Sequence, residues 1–526
     1  MTDDQRPKTE DRGLKTVLFS IKTLWVGLVV VAAFAFGCRN PIRPNDFWWH
    51  LKAGEIILAT GQVPTTDFFS YTAYGQPWLY QSWLAEVTLH ALHTLGGLEL
   101  VAVAQGLLVA VATALVCLHG WSTSRNARLA ALTTALAVGI SVAHWNVRPQ
   151  TFSYPLFALF GLILWRDRQQ GTRWVWLLPV LMVLWVNLHG AFTLGLALIV
   201  ITLAGEALKR VLQWGEAMPW RRLGRLAAVA GLSLLTFAVN PRGLDIVGYL
   251  AGFQAHEITQ TLGREWQPTS PREFTGMLFF ASALLCLAAL IYSARRIDLT
   301  DLLLLLTFGW LGLGAIRGTV WYGIVMAPIL ARYLAAIPLR SDTWDLTWLL
   351  ARFRRKGDQP ADPPPVSAVL NLALLGALAL GAVLALPWFD IRSLVPENLR
   401  GNLTLISPDT PVEAAEYLAA YAPGARIFHT EAYGSYFDWR LYKKVPVFAD
   451  TRLELYPPVV WHDYLALSCA RYDWETLLVR YDVDTLVLDR ERFADLAAAA
   501  EASPNWTRTY GDDVTVIYRR VEASHE

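Results

Sequence analysis

Long apolar runs separated by short polar turns dominate the first 387 residues of the chain. A helix that crosses a membrane needs about 20 mostly apolar residues, and eleven runs approach that length and composition. The pattern therefore predicts an α-helical multi-pass membrane protein with about eleven spans. The predicted spans are residues 22–38, 98–119, 128–144, 151–165, 174–188, 191–207, 226–240, 276–293, 302–316, 319–336 and 366–387.

The pattern changes after about Thr410, where short amphipathic runs alternate with short apolar runs. Strands separated by helices are typical of an α/β domain. We therefore predict a transmembrane domain over residues 1–387 and a C-terminal soluble α/β domain over residues 388–526. Predicted helices are residues 411–421, 457–471 and 490–500, and predicted strands are 425–429, 445–449, 484–488 and 514–518. Polar residues near the strand ends either hold a ligand site, as loops at strand ends often do, or form caps and salt bridges, which is the interpretation we favour: His429, Glu431, Asp450, Arg452 and Glu454.

Charge separates the same two parts of the chain. Lys and Arg number 31 and Asp and Glu 22 in residues 1–387, against 14 and 22 in residues 388–526. The first part therefore has roughly half the charged fraction of a soluble chain. The net charge of +1 conceals +9 on the first part and −8 on the second. The four cysteines show no disulfide or metal spacing, and we expect no nucleic-acid partner.

The distribution of Lys and Arg predicts the orientation, because cytoplasmic loops retain these residues. With the N-terminus inside, 23 of the 31 lie on the cytoplasmic side. An odd number of spans then places the C-terminal domain outside. We expect a multi-pass protein of the inner (plasma) membrane, surrounded by the lipid bilayer, with a cytoplasmic N-terminus and, in a bacterial source, a periplasmic C-terminal domain.

Polar side chains able to do chemistry gather in the predicted outer turns, whereas the inner loops are short, basic and otherwise plain. Ionisable groups at membrane depth are costly and usually mark a pathway or a site. Five outer turns present such groups, so we predict one shared cavity at the outer leaflet.

The first outer loop, residues 39–97, is long enough to carry a function of its own. Asn45 or Asp46 can cap a helix that runs to a stop at Gly61, and its tryptophans predict that the helix lies along the membrane interface. Asp46 and His50 are four residues apart and share one helix face, which suits general base catalysis. The alternative is that Asp46 only caps the helix and that His50 is an interfacial polar residue.

Several short motifs follow one another in this loop: DFWWHLKAGEIILATG at 46–61, VP at 63–64, Asp67, GQPW at 75–78 and QSWL at 81–84. Together they resemble the first external loop of the C-type (GT-C) membrane glycosyltransferases. The similarity is strongest to the branch that contains the protein O-mannosyltransferases and the lipid A aminoarabinose transferase. In topology the resemblance extends to about residue 340, and in motif it covers the first loop alone.

The resemblance implies an enzyme that transfers a sugar from a polyprenyl-phosphate-linked donor to a glycan, lipid or protein acceptor at the outer face, with inversion. Asp46 would be the general base, with His50 beside it. Phe47 follows Asp46 where many relatives have a second acidic residue. No cofactor is therefore certain, and a divalent metal stays open.

A departing polyprenyl phosphate needs cations, and the arginine fork bonds phosphate oxygens in pairs. The alternative for each outer arginine is binding of lipid headgroups at the interface. The candidate phosphate ligands are Arg148, Arg242, Arg264 and Arg317. The candidate acceptor or sugar contacts are Asp67, Gln81, His189, Glu265 and Trp266.

Two other functions stay open. A transporter or flippase for a lipid-linked glycan would use the same outer cavity, although the sequence shows no internal repeat of the kind found in many transporters. A non-catalytic membrane scaffold would use the C-terminal domain to bind a partner. Nucleotide-binding and protease motifs do not occur in the sequence.

Overall fold

A computed structural model of the protein describes residues 21–249, 263–338, 366–391, 393, 403–471 and 473–521. Apolar helices make up the N-terminal part, and a small sheet with its helices lies at the C-terminus. The predicted helical fold with a C-terminal α/β part is therefore confirmed. The domain boundary at residue 387 stays a prediction.

A helix lies at each of the eleven predicted spans. Five helical segments are by themselves long and apolar enough to cross a membrane, namely Ile21–Arg39, Trp83–Ser124, Ala127–His144, Phe192–Val211 and Phe274–Tyr292. The span count stays a prediction, because the other helices are shorter or more polar. The helices of this part are α1 (Ile21–Arg39), α2 (Phe47–Thr60), α3 (Trp83–Ser124), α4 (Ala127–Ser141), α5 (Ser153–Gln170), α6 (Leu177–Leu188), α7 (Phe192–Val211), α8 (Trp220–Leu235), α9 (Phe274–Tyr292), α10 (Leu299–Gly314), α11 (Thr319–Leu334) and α12 (Val366–Leu384).

Helix α3 joins the end of the first outer loop to the following predicted span. Its 42 residues are interrupted at Gly96 and Gly97, whose dihedral angles are not helical. Gly97 has φ 69° and ψ −168°, a conformation that glycine adopts far more readily than other residues. The N-terminal piece of α3 can therefore follow the loop rather than the span.

The C-terminal part contains α13 (Val412–Tyr421), β1 (Ile427–His429), α14 (Glu431–Arg440), α15 (Pro458–Ser468), α16 (Trp474–Arg480), β2 (Thr485–Asp489), α17 (Ala494–Ala502), β3 (Trp506–Gly511) and β4 (Thr515–Arg520). The sheet has the order β1-β2-β4-β3, with β1 and β2 parallel and the other two pairs antiparallel. Strand β3 was not predicted, because most of its side chains are exposed and its sequence lacks an apolar run.

The predicted strand at 445–449 is wrong. Val447 makes an isolated bridge with Ser70 of the first outer loop, and its carbonyl accepts the Tyr71 N–H at 3.1 Å. The hydroxyl of Thr72 donates to the carbonyl of Phe448. This apolar run therefore pairs with the first outer loop and not with the sheet.

The α2 tryptophans contact protein side chains, and the position of α2 along the membrane interface stays a prediction. Trp48 is fully buried, and its ring lies 4.9 Å from the rings of both Tyr436 and Trp439. Residues of the first outer loop share two apolar cores with the C-terminal part. These aromatic side chains attach the loop to the C-terminal part.

The helix ends that we predict to face the cytoplasm contain a network of buried charged residues. The buried guanidinium of Arg168 contacts Glu206 at 2.9 Å, Asp298 at 2.5 Å and Asp301 at 2.8 Å. Lys209 and Arg332 complete this network. Buried charges that are all paired in this way have a structural explanation.

Helices α2 and α3 approach each other closely at Gly54. A Cβ atom on Gly54 would lie 2.1 Å from the carbonyl oxygen of Glu86 and 3.0 Å from the Cβ of His90. Only glycine leaves room for the α3 backbone at this point. His50 precedes Gly54 by one helical turn, so the close approach also brings His50 to Glu86.

We expect Gly54→Ala to lower the free energy of unfolding by roughly 1–3 kcal/mol, the cost of overpacking a tight contact. Thermal unfolding of the purified protein in detergent measures the effect. Gly161→Ala is the matched control, because a Cβ there meets nothing within 4 Å. Equal unfolding temperatures for the two variants would contradict the proposed contact.

Candidate active site

One cavity of about 980 Å³ lies between the predicted outer ends of the membrane helices, the first outer loop and the C-terminal part. Two predicted site residues, Asp67 and Arg242, are absent from its lining. The predicted residues that line it are Asp46, His50, Gln81, Arg148, His189, Arg264, Glu265, Trp266 and Arg317.

Asp46 stands at the N-terminus of α2, but its side chain makes no cap hydrogen bond. The neighbouring Asn45 does so instead, since its Oδ1 accepts the Phe47 N–H at 3.1 Å. The Asp46 side chain lines the cavity and is 34% exposed. Burial raises the pKa of Asp46 above its ordinary value, and the positive charge of Arg148 opposes this effect. The position therefore suits a proton acceptor better than a helix cap.

His50 does not pair with Asp46. Its Nδ1 lies 2.9 Å from Oε1 of Glu86, and the second Glu86 oxygen is buried without a hydrogen-bond partner among the described residues. Burial, with His189 and Arg452 nearby, holds the pKa of His50 well below its ordinary value. The predicted Asp46–His50 pair is thus replaced by a His50–Glu86 pair beside Asp46. The four-residue spacing of Asp46 and His50 could not predict the contact between His50 and Glu86, because Glu86 lies on another helix, α3.

Arg148 and Arg317 share one carboxylate in the cavity wall. Arg148 Nη2 lies 2.5 Å from Oε2 of Glu265, and Arg317 Nη1 lies 3.1 Å from Oε1 of the same residue. Arg148 Nη1 is also 3.7 Å from Oδ2 of Asp46. Arg317 lies 4.3 Å from the Trp266 ring centre. Glu265 and Trp266, predicted as acceptor or sugar contacts, therefore contact the arginines.

The two guanidinium groups of Arg148 and Arg317 are balanced by the carboxylates of Asp46 and Glu265. Burial acts to raise the pKa of Glu265, but Arg148 and Arg317 outweigh it and hold that pKa well below its ordinary range. The carboxylate therefore stays ionised between the two guanidinium groups. A phosphate group could take the same place, because it offers the same paired oxygen acceptors.

His189 lies in the turn between α6 and α7. Its Nδ1 accepts the Ala191 N–H at 3.2 Å and lies 3.0 Å from the Ser153 hydroxyl, which in turn accepts the Trp185 indole N–H at 2.7 Å. Burial, followed by the charges of Arg317 and Arg148, lowers the pKa of His189 to about 3. The neutral ring therefore carries its proton on Nε2, as a hydrogen-bond donor at the cavity.

Two further predicted site residues, Arg264 and Gln81, line the cavity. Arg264 has an 88% exposed side chain and pairs with Glu273 at 3.2 Å. The Gln81 amide donates to the carbonyl of Val186 at 3.0 Å. Arg264 thus lies largely in solvent, whereas Gln81 is held in the wall by its hydrogen bond to Val186.

Asp67 and Arg242 lie outside the cavity lining. Asp67 is buried, accepts the Ser70 hydroxyl at 2.8 Å and pairs with Arg452 Nη2 at 2.7 Å. Arg452 also contacts Asp450, so Asp67 joins the first outer loop to the C-terminal part. The Arg242 backbone N–H donates to the Asn240 side chain at 3.0 Å, within the turn after α8.

The C-terminal part supplies cavity residues for which the sequence favours a structural role and leaves a ligand site open. Glu431, Arg452 and Glu454 all line the cavity, next to the aromatic rings of Trp461 and Tyr464. Their place near predicted strand ends was visible in the sequence. The sequence did not show that these residues line the same cavity as residues of the N-terminal helices.

The described residues that line the cavity are not grouped as metal ligands. Within the described ranges, no group of three or more His, Cys, Asp or Glu side chains could hold a metal ion. The carboxylates of Asp46 and Glu265 both contact Arg148.

The fold is that of a polytopic membrane protein with a large cavity next to an α/β part. No protein-family model matches the chain, and no curated protein matches its sequence. Among solved structures, the archaeal oligosaccharyltransferase AglB from Archaeoglobus fulgidus, in complex with an inhibitory peptide and a dolichol-phosphate, is 14% identical with a TM-score of 0.53. The match covers 95% of this chain and 74% of AglB.

ArnT from Cupriavidus metallidurans bound to undecaprenyl phosphate is 14% identical with a TM-score of 0.51, over 95% of this chain and 98% of ArnT. ArnT in the apo state is 16% identical with the same TM-score of 0.51, over 95% and 97%. These proteins have the GT-C fold. The resemblance predicted from the first outer loop is therefore confirmed at the level of the fold.

Proposed function

We propose that the protein is an integral membrane glycosyltransferase of the GT-C type, which transfers a sugar from a polyprenyl-phosphate-linked donor to an acceptor. One observation carries the proposal: in one cavity, Arg148 and Arg317 share Glu265, and Arg148 also lies 3.7 Å from Asp46, a carboxylate that does not cap its helix. Two of the similar structures contain dolichol-phosphate or undecaprenyl phosphate. The site therefore has both the cations for a phosphate leaving group and a base for an acceptor hydroxyl.

We place this cavity at the outer face of the inner membrane, with the N-terminus in the cytoplasm and the C-terminal domain in the periplasm. The positive-inside distribution of Lys and Arg supports this orientation. The acceptor is then a glycan, lipid or protein that is reached from outside.

The phosphate of the donor would bind Arg148 and Arg317, with the Nε2–H of His189 as a further donor. Arg264 at the rim would contribute less, because a solvent-exposed charge is screened by water and salt. Arg242 is left out of this set, since it does not line the cavity.

The reaction would be a single displacement. The acceptor oxygen attacks the anomeric carbon while Asp46 takes the hydroxyl proton. The bond between that carbon and the phosphate oxygen breaks, and its electron pair leaves with the polyprenyl phosphate. Arg148 and Arg317 stabilise the negative charge on the departing group. Attack from the side opposite the leaving group inverts the anomeric configuration.

A transfer assay in reconstituted vesicles tests the proposed function. Undecaprenyl-phosphate-linked sugars with a radiolabel are supplied with envelope fractions of the source cell as acceptors. We expect label to leave the lipid and appear in one acceptor fraction. Passage of the intact labelled lipid across the vesicle membrane would identify a flippase instead, and intact lipid without movement would favour the scaffold.

A further inference from the structure

Glu86 is a buried carboxyl group with no cation directly beside it. It belongs to the first outer loop, on the piece of α3 before the break at Gly96 and Gly97, and it is 0% exposed. Within the described ranges, its side chain makes a single hydrogen bond, in which Oε1 lies 2.9 Å from Nδ1 of His50. Its other oxygen has no partner there. Burial in this setting costs a carboxylate far more than it costs a protonated carboxyl group.

The other titratable groups around Glu86 do not reverse this balance. Burial raises the pKa of Glu86 to about 8, and the positive charge of Arg452 opposes this effect only in part. Arg452 is itself paired with two aspartates. Tyr80 and Tyr249 also lie near the carboxyl group, and burial holds the pKa of each tyrosine well above its ordinary value. The tyrosines therefore stay neutral, and Glu86 is protonated at neutral pH.

The ring of His50 lies between Glu86 and the cavity, which His50 also lines. Burial, and then the neighbouring His189, Arg452 and Arg148, hold the pKa of His50 well below its ordinary value, so the ring is neutral. A protonated Glu86 donates its O–H to Nδ1. The single proton of the neutral ring is then on Nε2, the nitrogen left for the cavity. His50 therefore offers a donor near two of the groups proposed to bind phosphate.

We infer that Glu86 is a protonated positioning residue that holds His50 with its Nε2–H toward the cavity, as a neutral hydrogen-bond donor for the phosphate of the donor lipid. The inference rests on the proposed function. The hydrogen bond to one imidazole nitrogen decides what the other nitrogen presents, and a carboxyl group kept neutral by its surroundings can be the donor in that bond. The close approach of α2 and α3 at Gly54 fixes the distance between the two partners.

Ionisation of Glu86 should reverse the arrangement. A carboxylate has no proton to donate, so Nδ1 takes the imidazole proton and donates it to Oε1, while Nε2 becomes an acceptor. An acceptor cannot bond a phosphate oxygen, and one hydrogen bond to a charged group is lost. We therefore expect the affinity for undecaprenyl phosphate to fall about tenfold as the pH rises through about 8.

The test measures the affinity of the full-length protein in detergent for undecaprenyl phosphate as a function of pH. Glu86→Gln keeps a donor for Nδ1 at every pH, because its amide nitrogen carries protons, so the alkaline fall should disappear. Glu454→Gln should retain the fall. This variant is required because burial also raises the pKa of Glu454, to about 7, at the same cavity.

Glu55→Gln is the matched control in the first outer loop. Its side chain is 44% exposed and does not line the cavity, so this variant should follow the wild type at every pH.

Infrared spectroscopy of the protein without ligand separates this inference from the proposed function. The difference between the spectra of the wild type and Glu86→Gln should contain the C=O stretching band of a protonated carboxyl group at neutral pH. The band should disappear at alkaline pH, with the same midpoint as the fall in affinity.

Three results would overturn the inference. They are the absence of this band at neutral pH, a wild-type affinity that does not fall at alkaline pH, and an equal fall in Glu86→Gln. Failure of undecaprenyl phosphate to bind the wild type at any pH would reject the proposed function and the phosphate role of His50 with it, whereas the infrared band would still show a protonated Glu86.

Discussion

Asp46→Asn is expected to abolish detectable sugar transfer while membrane insertion and folding stay intact. Asparagine has nearly the same shape but cannot take the acceptor proton, and general base catalysis contributes about 10²–10⁴-fold to rate. Helix α2 should form normally, because Asn45 and not Asp46 caps it. The measurement is the transfer rate in vesicles, together with the thermal unfolding temperature of the purified variant.

Asp245→Asn is the matched control for this prediction, since Asp245 is exposed in the predicted outer turn after α8 and does not line the cavity. The wild-type rate should also rise with pH over a range above that of an ordinary aspartate, because burial raises the pKa of Asp46 and the base acts in its deprotonated form. Full transfer by purified Asp46→Asn would reject Asp46 as the base.

Replacement of Arg148 is expected to have the second large effect. Arg148→Gln removes a buried cation with a 10% exposed side chain, and loss of a fixed group that stabilises transition-state charge costs about 10²–10³-fold in kcat. Arg148→Lys keeps the charge but loses the paired fork, so its kcat/KM should fall between that of Arg148→Gln and the wild type. Affinity for undecaprenyl phosphate should fall in the same order.

Two further arginines serve as controls for this series. Arg264→Gln should have a smaller effect than Arg148→Gln, because the Arg264 side chain is 88% exposed. Arg272→Gln should have none, since Arg272 is exposed and lies outside the cavity lining. If Arg148→Gln bound undecaprenyl phosphate as tightly as the wild type, Arg148 would be a positioning residue for Asp46 and Glu265 rather than a phosphate ligand.

The sequence predicts the parts of this fold that depend on local pattern. Apolar length identifies a helix at each predicted span, and the stop of α2 at Gly61 follows from glycine at a left-handed position, with φ 68°. Three predicted strands also come from local pattern. Each of these features is encoded within a few turns of chain.

Contacts between distant segments could not be predicted in this way. Trp48 is compatible with a membrane interface by composition, and only the position of α14 shows that it is buried. His50 finds Glu86 because Gly54 lets two helices touch. Asp67 pairs with Arg452, 385 residues away. A single sequence contains no information on such pairings beyond the chemistry of each partner.

The central claim is that the donor phosphate binds between Arg148 and Arg317, beside Asp46. An experimental structure of the protein with undecaprenyl phosphate tests it most directly. We predict phosphate oxygens about 3 Å from the guanidinium nitrogens of both arginines, with Glu265 no longer bridging them. A phosphate bound elsewhere, with Glu265 still between Arg148 and Arg317, would contradict the account.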